Sequence, residues 1–159
     1  MPKNIFISRP TVIQSQFLVE YDAFETYLAK RQLKAKRLGA SDFTLGTPLS
    51  GVIDLMKKCK AAIILGYPQY EIRATLLKST STEKEITQFF PTPWNQIEAT
   101  LAFQQNIPVL VIAHNGISGG IFDHGVTGEY ICAIDLSMKE WFMDKNIQGV
   151  FKEWMKRIQ

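Results

Sequence analysis

Trp94 and Glu98 stand four residues apart in the segment Pro93-Trp94-Asn95-Gln96-Ile97-Glu98. On a helix that spacing stacks an indole and a carboxylate on one face. A carboxylate beside an aromatic wall can hold sugar hydroxyls. It can also stabilise the positive charge that develops at a sugar carbon when a glycosidic bond breaks. A Glu near a helix start is favoured by the helix dipole alone, so spacing leaves both roles open. With Glu98 in the catalytic role, Glu98→Gln is expected to move stability by less than about 1 kcal/mol, because the lost dipole interaction is small.

Other residues carry partial chemistry. Arg9 offers a planar fork that suits phosphate, or a surface salt bridge. Ser8 can donate a hydrogen bond to a ligand or cap the helix that follows. His114 is a turn residue or a base, and Asp123-His124 is a turn or a pocket pair. No Ser-His-Asp or Cys-His arrangement, P-loop or GxGxxG motif is present. Cys59 and Cys132 form no CxxC motif and read as small buried hydrophobes. With only His114 and His124 beside them, the sequence holds no metal-ligand pattern.

These residues need elements to hold them. Asn4 to Ser8 is a short β-branched and aromatic run stopped by Pro10, a first strand covered on both faces. Phe17, Tyr21, Phe24 and Leu28 mark one face of a helix from Ser15 to Arg31. Leu33 to Leu38 alternates weakly, as an edge strand would. Pro48 opens a helix whose stripe is Val52, Leu55, Met56 and Cys59. Ala61 to Leu65 is a central third strand. Glu71 to Leu77 reads as a helical piece, and Lys78 to Lys84 as a mobile loop or lid. Thr92 as N-cap and Pro93 at the first position open the helix that carries Glu98, with Trp94, Ile97 and Leu101 on its apolar face. Ile107 to Ala113 and Tyr130 to Leu136 are the fourth and fifth strands, and an aromatic helix closes the chain.

The β-α order implies one α/β domain over residues 1–159. Its mainly parallel five-stranded sheet is doubly wound, in the order 2-1-3-4-5. In such sheets ligands bind beyond the carboxyl ends of the strands. That rule selects Ser8, Arg9 and Pro10 after the first strand, Gly66 and Tyr67 after the third, and His114 after the fourth. Trp94, Asn95 and Glu98 reach the same side from their helix.

Composition excludes several alternatives. Of the 159 residues, 46% are hydrophobic and 21% charged, which argues against disorder. No apolar run is long enough for a membrane span, and the N-terminus lacks the tripartite order of a secretory signal; both suit a cytoplasmic protein. A net charge of +3 could favour an anionic ligand but is too small to imply nucleic acid. The cluster Lys30, Arg31, Lys34, Lys36 and Arg37 reads as a solvated helix end and the edge strand after it.

Together these segments resemble a bacterial Toll/interleukin-1 receptor (TIR)-like domain. Ile5-Phe6-Ile7-Ser8-Arg9 is similar to the opening TIR strand, and Cys59-Lys60-Ala61-Ala62-Ile63-Ile64-Leu65-Gly66 to the third. Trp94 to Ala99 resembles the segment in which a Trp precedes a Glu by four, and Ile107 to Ile112 the fourth strand. The resemblance implies a flavodoxin-like fold and, in enzymatic members, cleavage of the nicotinamide-ribose bond of NAD, sometimes with cyclisation of the ADP-ribose. NAD is then substrate and not cofactor. Carried over by position, Glu98 is the catalytic glutamate and Ser41 to Thr47 the loop flanking the site. Activation by self-association and a role in anti-phage defence are also implied. Trp141, Phe142, Phe151 and Trp154 offer aromatic surface for a subunit contact, or for the core. Gly116 to Gly128 and the final helix depart from the TIR pattern. Two other functions stand beside this one: a non-catalytic module that binds a nucleotide or another TIR surface, and a nucleoside deoxyribosyltransferase-like N-glycosidase.

Overall fold

The computed structural model describes residues 1–74 and 86–158. In chain order its elements are β1 (Lys3–Ser8), α1 (Ser15–Lys30), β2 (Leu33–Lys36), α2 (Pro48–Met56), β3 (Ala61–Gly66), β4 (Tyr70–Ala74), β5 (Ile86–Phe90), α3 (Pro93–Gln104), β6 (Val109–His114), β7 (Ile131–Ile134) and α4 (Lys145–Arg157). Short 3-10 turns stand at Gly120–Phe122 and Trp141–Met143. Five strands form one parallel sheet in the order β2-β1-β3-β6-β7. This is the expected 2-1-3-4-5 order once β4 and β5, which pair only with each other, are set aside. The fold is flavodoxin-like and doubly wound.

Both sheet faces are covered, and for that reason the strands read as continuous apolar runs. Successive side chains point to opposite faces. Ile5, Ile7, Ile63 and Leu65 therefore join Phe17, Tyr21, Phe24 and Leu28 of α1 and Phe151 and Trp154 of α4. Phe6, Ala62 and Ile64 join Val52, Leu55 and Met56 of α2 and Ala99 and Ala102 of α3 on the other side. Cys59 and Cys132 are buried, one in each layer. No helix among the described residues is long and apolar enough to cross a membrane.

Two expectations need correction. The segment expected as a helical piece begins instead as β4, held by antiparallel pairing from Tyr70↔Phe90 to Ala74↔Ile86. Its partner comes from later in the chain, so local propensity does not reveal it. Residues 75–77 and the expected lid at 78–84 lie outside the described residues. On α3 the buried residues are Asn95, Ala99 and Ala102, whereas Trp94 and Ile97 are exposed. A face of small side chains lets the helix lie close on the sheet and turns the large ones outward. Of the two uses expected for the terminal aromatics, the core is the one seen: Trp141, Phe142 and Phe151 pack against Phe24 or Tyr27, and Trp154 against Phe151. They offer no surface for a subunit contact.

Candidate active site

The site is built where β1 and β3 end side by side, with Ser8 opposite Ile64. Thr92 caps α3 by accepting the Asn95 amide N–H at 3.3 Å, and Pro93 fills the first helical position. The first turn of α3 thus sits over the carboxyl ends of these two strands. Asn95 is completely buried there, and its Nδ2 donates to Ser8 Oγ at 2.9 Å and to the Leu65 carbonyl at 3.4 Å. Ser8, also completely buried, donates its hydroxyl to Glu98 Oε2 at 2.5 Å.

Glu98, one turn further along α3, opens on a cavity of about 220 Å³. Arg9, Pro10, Arg37, Thr92 and Trp94 contribute to its wall, with residues from the turn after β2 and from α2. Burial pushes the Glu98 carboxyl up to about 7, against the opposing pull of the Ser8 hydroxyl and the Arg37 guanidinium. It is the only carboxylate among the described lining residues.

Two guanidinium groups face it. Arg9 lies over the Tyr21 ring, 4.2 Å from its centroid, and its Nη1 donates to the carbonyls of Pro10 at 2.6 Å and Thr11 at 3.3 Å. Its Nε is buried without a partner. Arg37 donates to the Tyr21 hydroxyl at 3.3 Å, and that hydroxyl donates onward to Glu25 at 2.9 Å. Burial raises the Tyr21 phenol with Arg37 opposing, so the ring is a neutral platform between two cations. The cavity therefore holds two permanent positive charges against one weakened carboxylate, which favours an anionic ligand.

Of the expected site residues, Arg9, Pro10, Trp94 and Glu98 line this cavity. Ser8 and Asn95 lie beneath it and meet it through Glu98. Gly66, Tyr67 and His114 do not line it. Gly66 is buried against Phe122, where an added Cβ would come within 2.6 Å of the ring. Tyr67 and His114 pack on Phe17 at 5.3 and 5.1 Å, in the layer under α1. His114 Nδ1 accepts the Leu136 amide at 3.1 Å, and burial lowers its pKa, so the imidazole is neutral and serves the β7 connection. The strand-end rule picks positions, but the two-residue period sends their side chains to both faces. Asp123 closes the glycine-rich turn by accepting the Gly119 N–H at 2.7 Å. Among the described residues no three His, Cys, Asp or Glu side chains gather as a metal site.

Arg37 escaped the sequence-based selection. It follows β2 directly, but the expected edge strand ran on to Leu38 and so placed Arg37 within the strand and not beyond its end. Its place in a basic run hid it.

The chain is a doubly wound α/β protein with a half-buried carboxylate near the carboxyl ends of its inner strands. Its structure is similar to that of the CMP N-glycosidase BcmB from Clostridium botulinum. The TM-score is 0.56 at 11% identity, over 95% of this chain and 99% of that one. The likeness is one of fold. No protein-family model matches the chain, and no curated protein matches it by sequence.

Proposed function

We propose that this chain breaks the N-glycosidic bond of a nucleotide, with Glu98 as its catalytic residue. The observation that carries this reading is a single carboxylate, raised to about 7, that shares one cavity with two guanidinium groups and an indole. The fold shared with a CMP N-glycosidase supports it. In the reaction the bond from sugar carbon to base nitrogen breaks, and its electron pair leaves with the base. Water then supplies a hydroxyl to the sugar carbon and a proton to the base. Ionised Glu98 stabilises the oxocarbenium-like charge in between. Arg9 and Arg37 hold the phosphate, and Trp94 forms a wall for the base or sugar.

The TIR resemblance narrows this to the nicotinamide-ribose bond of NAD, with or without cyclisation. A cavity of about 220 Å³ is smaller than the roughly 300–1,000 Å³ of most ligand pockets. That size favours one nucleotide unit over two, so nucleoside 5′-monophosphates stand beside NAD as substrates. Purified protein is to be incubated with NAD, with nucleoside 5′-monophosphates and with free nucleosides, and released base followed by chromatography. We expect release from a phosphorylated substrate, and a loss on the order of a hundredfold or more in Glu98→Gln. A folded Glu98→Gln protein working at the parent rate would remove Glu98 from the mechanism. Binding without turnover would leave the non-catalytic module in front. Trp94→Ala should raise KM more than it lowers kcat. If assembly switches the activity on, as in TIR enzymes, specific activity rises with protein concentration; a flat dependence in a monomeric sample removes that requirement.

A further inference from the structure

Glu98 does not meet the cavity alone. Thr92 Oγ1 donates to Asn95 Oδ1 at 3.1 Å, Asn95 Nδ2 donates to Ser8 Oγ at 2.9 Å, and Ser8 Oγ donates to Glu98 Oε2 at 2.5 Å. A hydroxyl has one hydrogen to give. With the Thr92 hydroxyl held on Asn95 Oδ1, the amide must present Nδ2 to Ser8. With Nδ2 already pointing at Ser8 Oγ, the Ser8 hydrogen must go to Glu98. Every donor in the chain faces the same way, and the chain ends on a carboxylate, so each bond polarises the next. Ser8 and Asn95 are completely buried and do not line the cavity.

We propose that Ser8 and Asn95 are positioning residues for Glu98, a one-way relay that ties down Oε2 and leaves Oε1 to face the sugar carbon. This rests on the reading of Glu98 as the group that meets the substrate. Oε1 has no hydrogen-bond partner among the described residues. The relay fixes the rotamer of a side chain whose helix position alone would leave it free, and holds its charged form against the burial that opposes it. The other charged groups facing Glu98 are Arg37 from the turn after β2 and Arg9 from the turn after β1, with the neutral Tyr21 of α1 between them. Within α3 itself Glu98 is the only charged residue.

The direct test is to titrate the Glu98 carboxyl by carbon-13 NMR in the parent, Ser8→Ala, Ser8→Thr and Asn95→Leu proteins. Removing a donor to the charged form moves the midpoint up, by about one pH unit in Ser8→Ala, and by less in Asn95→Leu. Ser8→Thr keeps the hydroxyl and should hold the parent midpoint. The acid limb of kcat/KM moves with it, because activity falls as pH drops through the carboxyl's pKa. At a pH below both midpoints that shift is a loss of about tenfold. Asn95→Leu should lower kcat with little change in KM. Should Ser8→Ala fail to fold because the Asn95 amide is stranded, Ser8→Ala/Asn95→Leu removes both polar groups together and carries the same expectation. An unchanged midpoint in a folded variant without the Ser8 hydroxyl overturns the relay. The titration does not depend on turnover, so a Glu98→Gln protein with full activity would sink the proposed function and leave this measurement standing.

Discussion

Glu98 makes two demands on its surroundings that pull against each other. Burial disfavours its charge, while Ser8 and Arg37 favour it, and burial wins: the carboxyl stands at about 7 in place of 4.5. The folded chain then holds this proton more tightly than the unfolded chain. The associated stability is fully present below about pH 4.5 and is lost as pH rises through about 7. The swing is on the order of 2 kcal/mol once solvent screening is allowed for. Glu98→Gln cannot titrate, so its stability relative to the parent should rise between pH 4.5 and pH 8, measured by urea denaturation at both ends. An equal difference at the two values would contradict a desolvated carboxylate. The expected change of less than about 1 kcal/mol counts the dipole alone and omits desolvation. Spacing made Glu98 and Trp94 visible as a pair. It could not show that Ser8, ninety residues away in the chain, supplies the carboxylate's hydrogen bond, because that contact exists only once β1 and α3 have docked.

Helix α3 shows where pattern reading fails and why. Its start was legible, since Thr92 and Pro93 act locally. Its buried face was not, because Asn95, Ala99 and Ala102 are small or polar and leave no hydrophobic stripe, while Trp94 and Ile97 advertise the wrong side. The helix also holds the turn at Gly120–Phe122. Gln96 Nε2 donates to the Gly119 carbonyl and Gln96 Oε1 accepts the Ile121 amide, each at 3.0 Å. That turn sets the Phe122 ring against Gly66 at the end of β3. Gly66→Ala would force ring and strand apart. It should lower the free energy of unfolding by about 1–3 kcal/mol, as overpacking of a filled core does, read from denaturant midpoints. A neutral result would mean that the Phe122 ring moves aside freely.

For the molecule as a whole, the parallel order followed from two covered sheet faces and alternating elements, and those signals are repeated along the chain. The terminal segment reads from its sequence as a final aromatic helix packed across the sheet, with a subunit contact as the other use. Trp154 settles it: the indole is buried, and its Nε1 donates to the Pro108 carbonyl at 3.1 Å at the entry to β6. Trp154→Ala should therefore cost about 3–5 kcal/mol in stability, seen as a lower melting temperature. Sedimentation of the folded variant should match the parent. A change in assembly without a change in stability would restore the aromatic segment to a subunit interface.

The β4–β5 ribbon leaves the parallel sheet and is closed at its base by the Gln69 N–H, which donates to the Phe90 carbonyl at 2.9 Å, while Phe89 bridges to Ile117 after β6. Ile72 and Gln88 face each other across it in antiparallel register. A two-residue Asn-Gly turn could join them directly, with the stretch between left out and β3 still running into α3 at its present angle. The five-stranded sheet shares no strand with the ribbon, so a chain shortened in this way should keep the strand order, as a crystal structure of it would check. On that outcome the ribbon is a graft upon the architecture, and trimming it spares the hydrogen bond from Ser8 to Glu98, since neither residue belongs to it.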